Sequence, residues 1–157
     1  MQSGNSELKN VEKVMVPITP DFNWSVGNYM EKFFDGLKDG KFMGVKCPAC
    51  GRVYLPPRMI CERCFKKMNE WVELPDTGIL ESFTLASVKV DGDGELRDLQ
   101  APQLIGMVKH EGADTCLVAR LEELEPGEAR VGMKVKAVLE EVPEGVLDIL
   151  SYYRPYE

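Results

Sequence analysis

The spacing of apolar residues changes character along this chain. Between Trp24 and Asp39, the residues Val26, Tyr29, Met30, Phe33, Phe34 and Leu37 recur at helical intervals. Glu31, Lys32, Asp35 and Lys38 fill the opposite side. That pattern predicts one amphipathic helix over 23–40. Asn23 or Ser25 can cap its start, and Gly40 suits its C-terminal turn, while Gly27 and Gly36 weaken it. Six large apolar residues exceed what a small neighbouring module needs, so this face is expected to extend onto a partner subunit. Residues 1–22 read differently, as an extended arm: polar at first, then Val14-Met15-Val16-Pro17-Ile18-Thr19-Pro20, where two prolines forbid helix.

Short strands follow. Residues 41–46 lead into a cysteine-bearing turn, and 52–58 leave it as a second strand stopped by Pro56-Pro57. A ribbon over 41–70 is expected. Beyond Trp71, alternating runs at 78–90, 103–110, 115–121, 133–141 and 145–153 are separated by turn residues such as Pro75-Asp76-Thr77-Gly78 and Glu125-Pro126-Gly127. Five strands in about eighty residues suit a small closed barrel of the OB type over 71–157. The fold class is therefore mostly β with an N-terminal helix, a ribbon and a five-stranded barrel. Residues 91–102 are expected to form one long flexible loop.

The ribbon carries the chemistry. Cys47-Pro-Ala-Cys50-Gly51 and Cys61-Glu-Arg-Cys64 each place two thiols on a tight turn. Two such turns facing each other supply four sulfurs in a tetrahedron, the closed geometry of a structural zinc site. Gly51 suits a knuckle that needs a positive φ. So small a ribbon buries little apolar surface and needs metal ligation to hold it.

Composition narrows the setting. At 157 residues, with 44% hydrophobic and 29% charged residues, the chain can build a real core under an ordinary soluble surface. It shows no apolar run of membrane-spanning length and no apolar signal segment near Met1, so a cytoplasmic protein with reduced thiols and no membrane contact is expected. The net charge of −7 argues against a general nucleic-acid binder. Yet 41–70 holds seven basic residues against Glu62 and Glu70, leaving −12 on the rest. That local surplus either offsets the thiolate-bound metal or forms a cationic face for a phosphorylated cofactor or an acidic partner.

Catalytic groups are scarce. Cys116 is the one thiol outside the two pairs, in a run where a small buried hydrophobe is the default, with no activating neighbour evident. His110, the only histidine, stands at a strand end before Glu111-Gly112 and is expected to be an exposed turn residue. No phosphate-cradling glycine loop is present. A single-stranded nucleic-acid binder would need stacking aromatics among basic residues on the barrel. The barrel offers Phe83, Tyr152 and Tyr153 without a basic groove.

With these segments placed, the chain resembles a family of bacterial and archaeal proteins that join a rubredoxin-like zinc ribbon to an OB fold. They are associated with acyl-CoA enzymes and were long catalogued as a domain of unknown function. The likeness rests on Gly40-Lys-Phe-Met-Gly-Val-Lys-Cys47-Pro-Ala-Cys50-Gly51, Pro56-Pro57-Arg58-Met-Ile-Cys61-Glu-Arg-Cys64 and Trp71-Val-Glu-Leu. It continues in Gly78-Ile-Leu-Glu-Ser-Phe-Thr84, Ala101-Pro-Gln-Leu-Ile-Gly-Met and Tyr153-Arg154-Pro155. The resemblance implies a non-catalytic accessory subunit in a hetero-oligomer with a thiolase-like catalytic subunit, such as the thiolase that cleaves benzoylsuccinyl-CoA. It is equally compatible with a subunit bridging thiolase to 3-hydroxy-3-methylglutaryl-CoA synthase, or accompanying a hydratase or aldolase. It implies structural Zn2+ on Cys47, Cys50, Cys61 and Cys64. Lys46, Arg52 and Arg58 become candidates for contacts with the phosphates of coenzyme A or an acyl-CoA, or with acidic partner residues. Rubredoxin-like electron transfer is a weaker alternative, because Phe65 rather than glycine follows Cys64.

Overall fold

The computed structural model describes residues 25–91, 94–140 and 149–156. The expected N-terminal arm lies outside them. Helix α1 (Gly27–Lys38) is followed by β1 (Phe42–Lys46), β2 (Val53–Tyr54) and β3 (Glu70–Leu74). The remaining strands are β4 (Thr77–Val90), β5 (Leu96–His110), β6 (Leu117–Leu121), β7 (Lys134–Leu139) and β8 (Leu150–Pro155). The first three strands form a small antiparallel sheet in the order β2-β1-β3, and the last five close into a barrel in the order β4-β5-β6-β8-β7. The chain is thus a zinc-ribbon-like module followed by an OB-type barrel, mostly strand with one helix, as the residue pattern predicts.

Helix α1 ends as expected, with Gly40 at φ +74° closing the last turn on Leu37. Its start differs. Val26 holds the capping position with no side-chain cap bond, so Ser25 does not cap, and Asn23 lies outside the described residues. Gly36 has a packing role: a Cβ there would meet Met43 Cγ at 2.7 Å, so its absence lets the helix sit directly on β1. The aromatic face also corrects the expectation of a partner-facing helix. Phe33, Phe34 and Leu37 are buried in the chain's own core, together with Phe42 and Leu55 of the ribbon and Leu80, Val108, Val135 and Tyr153 of the barrel. Tyr29 stacks on Trp71 at 5.3 Å and donates its hydroxyl to the Met68 carbonyl, and Lys32 lies 4.2 Å over the Trp71 ring.

The barrel's inner face follows strict alternation. Leu104, Gly106, Val108 and His110 of β5 point inward beside Leu117, Ala119 and Leu121 of β6. Gly106 is required there, since a Cβ would fall 2.7 Å from Leu80 and 3.0 Å from Leu121. The expected loop over 91–102 is corrected: β5 already begins at Leu96, and Val88, Lys89 and Val90 pair with Asp98, Arg97 and Leu96. Val88, Val90 and Leu96 are exposed, which hides this hairpin from a burial-based reading of the sequence. The second ribbon strand is shorter than expected, with only Val53–Tyr54 in regular pairing.

Candidate metal centre and the seam to the barrel

Two knuckles built alike bring the four cysteines together. In the first, the Cys47 amide donates to the Arg52 carbonyl at 2.8 Å and the Gly51 amide to the Cys47 carbonyl at 3.0 Å. In the second, Cys61 donates to Lys66 at 3.0 Å and Phe65 to Cys61 at 2.9 Å. The residue after each pair is left-handed: Gly51 at φ +75° and Phe65 at φ +55°. That conformation is natural for glycine and costs a side-chain-bearing residue about 1–2 kcal/mol.

The sulfurs of Cys47, Cys50, Cys61 and Cys64 all lie within 4.8 Å of one another. A tetrahedral site with metal–sulfur bonds of about 2.3 Å has sulfur–sulfur edges of about 3.8 Å. The Cys50 and Cys61 sulfurs stand 3.8 Å apart. Four soft donors at this spacing suit structural zinc. Cys47 and Cys61 are fully buried, in a small cluster with Val45, Tyr54 and Met68. The Tyr54 hydroxyl lies 3.4 Å from the Cys61 sulfur, within hydrogen-bond reach. Together with the amides of Cys64 and Arg63, it favours the thiolate of Cys61 and draws that thiol below the usual cysteine range. Burial and that same bond push Tyr54 up to about 12. Tyr54 is a residue the sequence reading missed; its only signal was an aromatic beside a knuckle.

The three candidate cations gather around this cluster unequally. Lys46 is half-buried on β1, with its side chain over Gly51. Arg52 and Arg58 both reach Glu62, at 3.7 and 3.3 Å, and each sits 5.7 Å from the Tyr54 ring centre. Glu62 therefore shares its charge between two arginines, and Arg52 Nε is buried with no hydrogen-bond partner among the described residues.

A second buried site, at the seam, corrects the reading of His110. It is fully buried rather than exposed. Its Nδ1 lies 2.7 Å from the Pro75 carbonyl, which can only accept, so Nδ1 carries the proton. Nε2 then accepts from the Tyr153 hydroxyl at 2.6 Å. The Phe42 ring packs 4.5 Å away. Burial holds His110 below the usual histidine range and pushes Tyr153 well above the tyrosine range. Nearby, the turn after β5 zips onto the ribbon. Val53 N–H donates to Asp114 Oδ2 and Asp114 N–H to the Val53 carbonyl, both at 2.8 Å. Leu55 N–H donates to Thr115 Oγ1, which donates in turn to the Leu55 carbonyl, again at 2.8 Å.

These groups are engaged in structure. A hollow of about 500 Å³ between β4, β5 and β7 has His110 on its wall, yet both ring nitrogens are already bonded. Cys116 is half-buried, and desolvation raises its thiol, the opposite of an activated nucleophile. Tyr153 is buried and Tyr152 donates to Glu123 at 2.9 Å, which leaves Phe83 as the only exposed member of that aromatic trio.

A four-sulfur ribbon packed on a closed five-stranded barrel defines the class: a zinc-ribbon/OB-fold protein. Residues 34–68 match the model of the ChsH2 rubredoxin-like zinc ribbon domain, and 71–140 match the ChsH2 C-terminal OB-fold domain. The chain belongs to this family, the DUF35 proteins. It is 31% identical over 120 residues to a DUF35 domain-containing scaffold protein of Methanocaldococcus jannaschii, covering 73% of this chain and 82% of that one. A scaffold protein of the same description from Methanothermobacter thermautotrophicus is 30% identical over 112 residues, 69% of this chain and 80% of that one. Among solved structures, a DUF35 protein of unknown function from Sulfolobus solfataricus has a TM-score of 0.60 at 29% identity, covering 83% of this chain and 87% of its own. A chain of the Ltp2-ChsH2(DUF35) aldolase has a TM-score of 0.61 at 23% identity, covering 85% and 98%, and shares the fold. Among the described residues, no helix is long and apolar enough to cross a membrane.

Proposed function

We propose that this chain is a non-catalytic accessory subunit of a thiolase-type acyl-CoA enzyme, docking on the catalytic subunit and helping to shape its acyl-CoA site. The observation that carries this reading is the engagement of the cysteines and the histidine among the described residues: four sulfurs form a closed donor set, His110 is bonded at both nitrogens, and the half-buried Cys116 has its thiol raised. The scaffold description of two relatives supports a role through assembly. Cys47, Cys50, Cys61 and Cys64 would hold Zn2+, whose part here is to staple the ribbon. Lys46, with Arg52 and Arg58 sharing Glu62, would face coenzyme A phosphates or acidic partner residues. A substrate such as benzoylsuccinyl-CoA belongs to this reading at its finest grain.

A second reading is favoured by the fold shared with the Ltp2-ChsH2(DUF35) aldolase: the catalytic partner is an aldolase or hydratase. The two separate in one experiment. The chain is co-expressed separately with a thiolase-type and an aldolase-type subunit from its own genome, and each pair is isolated and assayed across a panel of acyl-CoA substrates. The proposal expects a stable heteromer, thiolysis by the pair, and no turnover by this chain alone. Turnover by the isolated chain would overturn it; assembly with an aldolase instead would select the second reading.

A further inference from the structure

The two knuckles share one hydrogen-bond pattern but not one residue at the left-handed position. Glycine fills it in the first and Phe65 in the second. The knuckle's backbone bond asks for that conformation, but the Phe65 side chain gains little packing from it: it is 80% exposed, the most exposed large hydrophobic among the described residues. Met59 and Ile60, also exposed, stand on the same hairpin, which the Ile60–Lys67 bridge and the Met68-to-Met59 backbone bond close. Arg63, Lys66 and Lys67 are exposed around Phe65 and make no ion pair among the described residues, whereas Arg52 and Arg58 are paired with Glu62. An aromatic ring held out on a four-cysteine turn, flanked in the chain by three exposed cations that make no ion pair among the described residues, has the makeup of an interface anchor.

We infer that the second knuckle is the docking tip of this chain, with Phe65 inserting into an apolar pocket rimmed by Asp and Glu on the catalytic subunit. Charge complementarity selects that occupant: three exposed cations on the same turn, without an ion pair among the described residues, favour an acidic rim and disfavour a basic or purely apolar surface. The inference rests on the accessory-subunit reading and adds the element that makes the contact. Because glycine is at home at φ +55°, Phe65→Gly removes the ring while relieving the backbone. Phe65→Ala removes the ring and keeps the strain.

The test immobilises a thiolase-type subunit from the same genome and measures binding of the full-length wild type, F65G, F65A and K66E/K67E. Both Phe65 variants are expected to bind on the order of 30-fold more weakly or worse, through faster dissociation. F65G should keep its zinc and melt no lower than wild type, while F65A gains nothing in stability. K66E/K67E should associate about tenfold more slowly at low salt, with the difference shrinking at high salt. Wild-type affinity in F65G and F65A would overturn the inference and leave the accessory reading standing. Failure of the wild type itself to bind would bring down both. A dimer of the isolated chain that F65G splits, seen by sedimentation, would overturn the inference by assigning the tip to a second copy.

Discussion

The ribbon and the barrel are held together by different physics. Around the knuckles the buried residues are Val45, Cys47, Tyr54, Cys61 and Met68, so two of the five are metal-ligand candidates. The barrel's core takes in leucines or valines from β4 to β7, Tyr153 from β8, and three residues of α1. Full burial of a Leu or Phe is worth about 1.5–3 kcal/mol, so the larger cluster can stand on apolar burial. The smaller one cannot. A structural zinc site, worth on the order of 10–16 kcal/mol, would make up that shortfall. The seam belongs to the barrel's economy: Phe42 and Leu55 leave the ribbon sheet to enter the barrel cluster, and His110 and Thr115 meet them there. The contrast teaches that the ribbon's buried cluster is small and sulfur-rich while the barrel's is large and apolar, so loss of a metal is expected to act on the first and spare the second.

The harshest way to test that contrast is Cys61→Ser. It should abolish zinc retention and collapse the ribbon, a loss of many kcal/mol confined to that module, read by metal analysis and by residue-resolved NMR. Phe42→Ala should instead cost about 3–5 kcal/mol in global denaturant unfolding, because Phe42 fills the barrel cluster and touches His110. Tyr153→Phe sharpens the seam further. It leaves His110 Nε2 buried without a donor, for a loss of about 1–3 kcal/mol by thermal or urea melts.

Acid should act through the same residue. His110 sits below the usual histidine pKa when folded, so between that depressed value and the unfolded value near 6.5 the unfolded chain binds more protons. Stability is full above about 6.5 and falls as pH drops below it. With one histidine in the chain, its ring resonances report this without overlap. The smallest effect belongs to Arg58→Ala, which removes an exposed ion pair and should shift stability by no more than about 1 kcal/mol.

How far the residues announce this architecture varies with what each signal depends on. Cysteine spacing is a local covalent rule, so the four sulfurs are readable directly, and inward alternation makes the barrel strands readable in turn. Three features escape for physical reasons. His110 looks like a turn residue because its partners, Pro75 and Tyr153, are 35 and 43 positions away. The hairpin extending β4 and β5 carries exposed Val90 and Leu96 on both strands, so no burial period marks it. The aromatic face of α1 looks like surplus until the barrel is seen to receive it. Phe65 was legible only as a departure from glycine after Cys64; its exposure needed three dimensions.

The most direct measurement follows amide resonances while a chelator strips metal from the wild-type chain. The signals of the two knuckles and the cluster around them, 45–54 and 59–68, should broaden or collapse in step with the loss of one zinc per chain. Those of β4 to β8 should stay dispersed, shifting only near His110, Asp114, Thr115 and Tyr153. Simultaneous loss of the whole spectrum, or a ribbon unchanged in metal-free protein, would contradict the account.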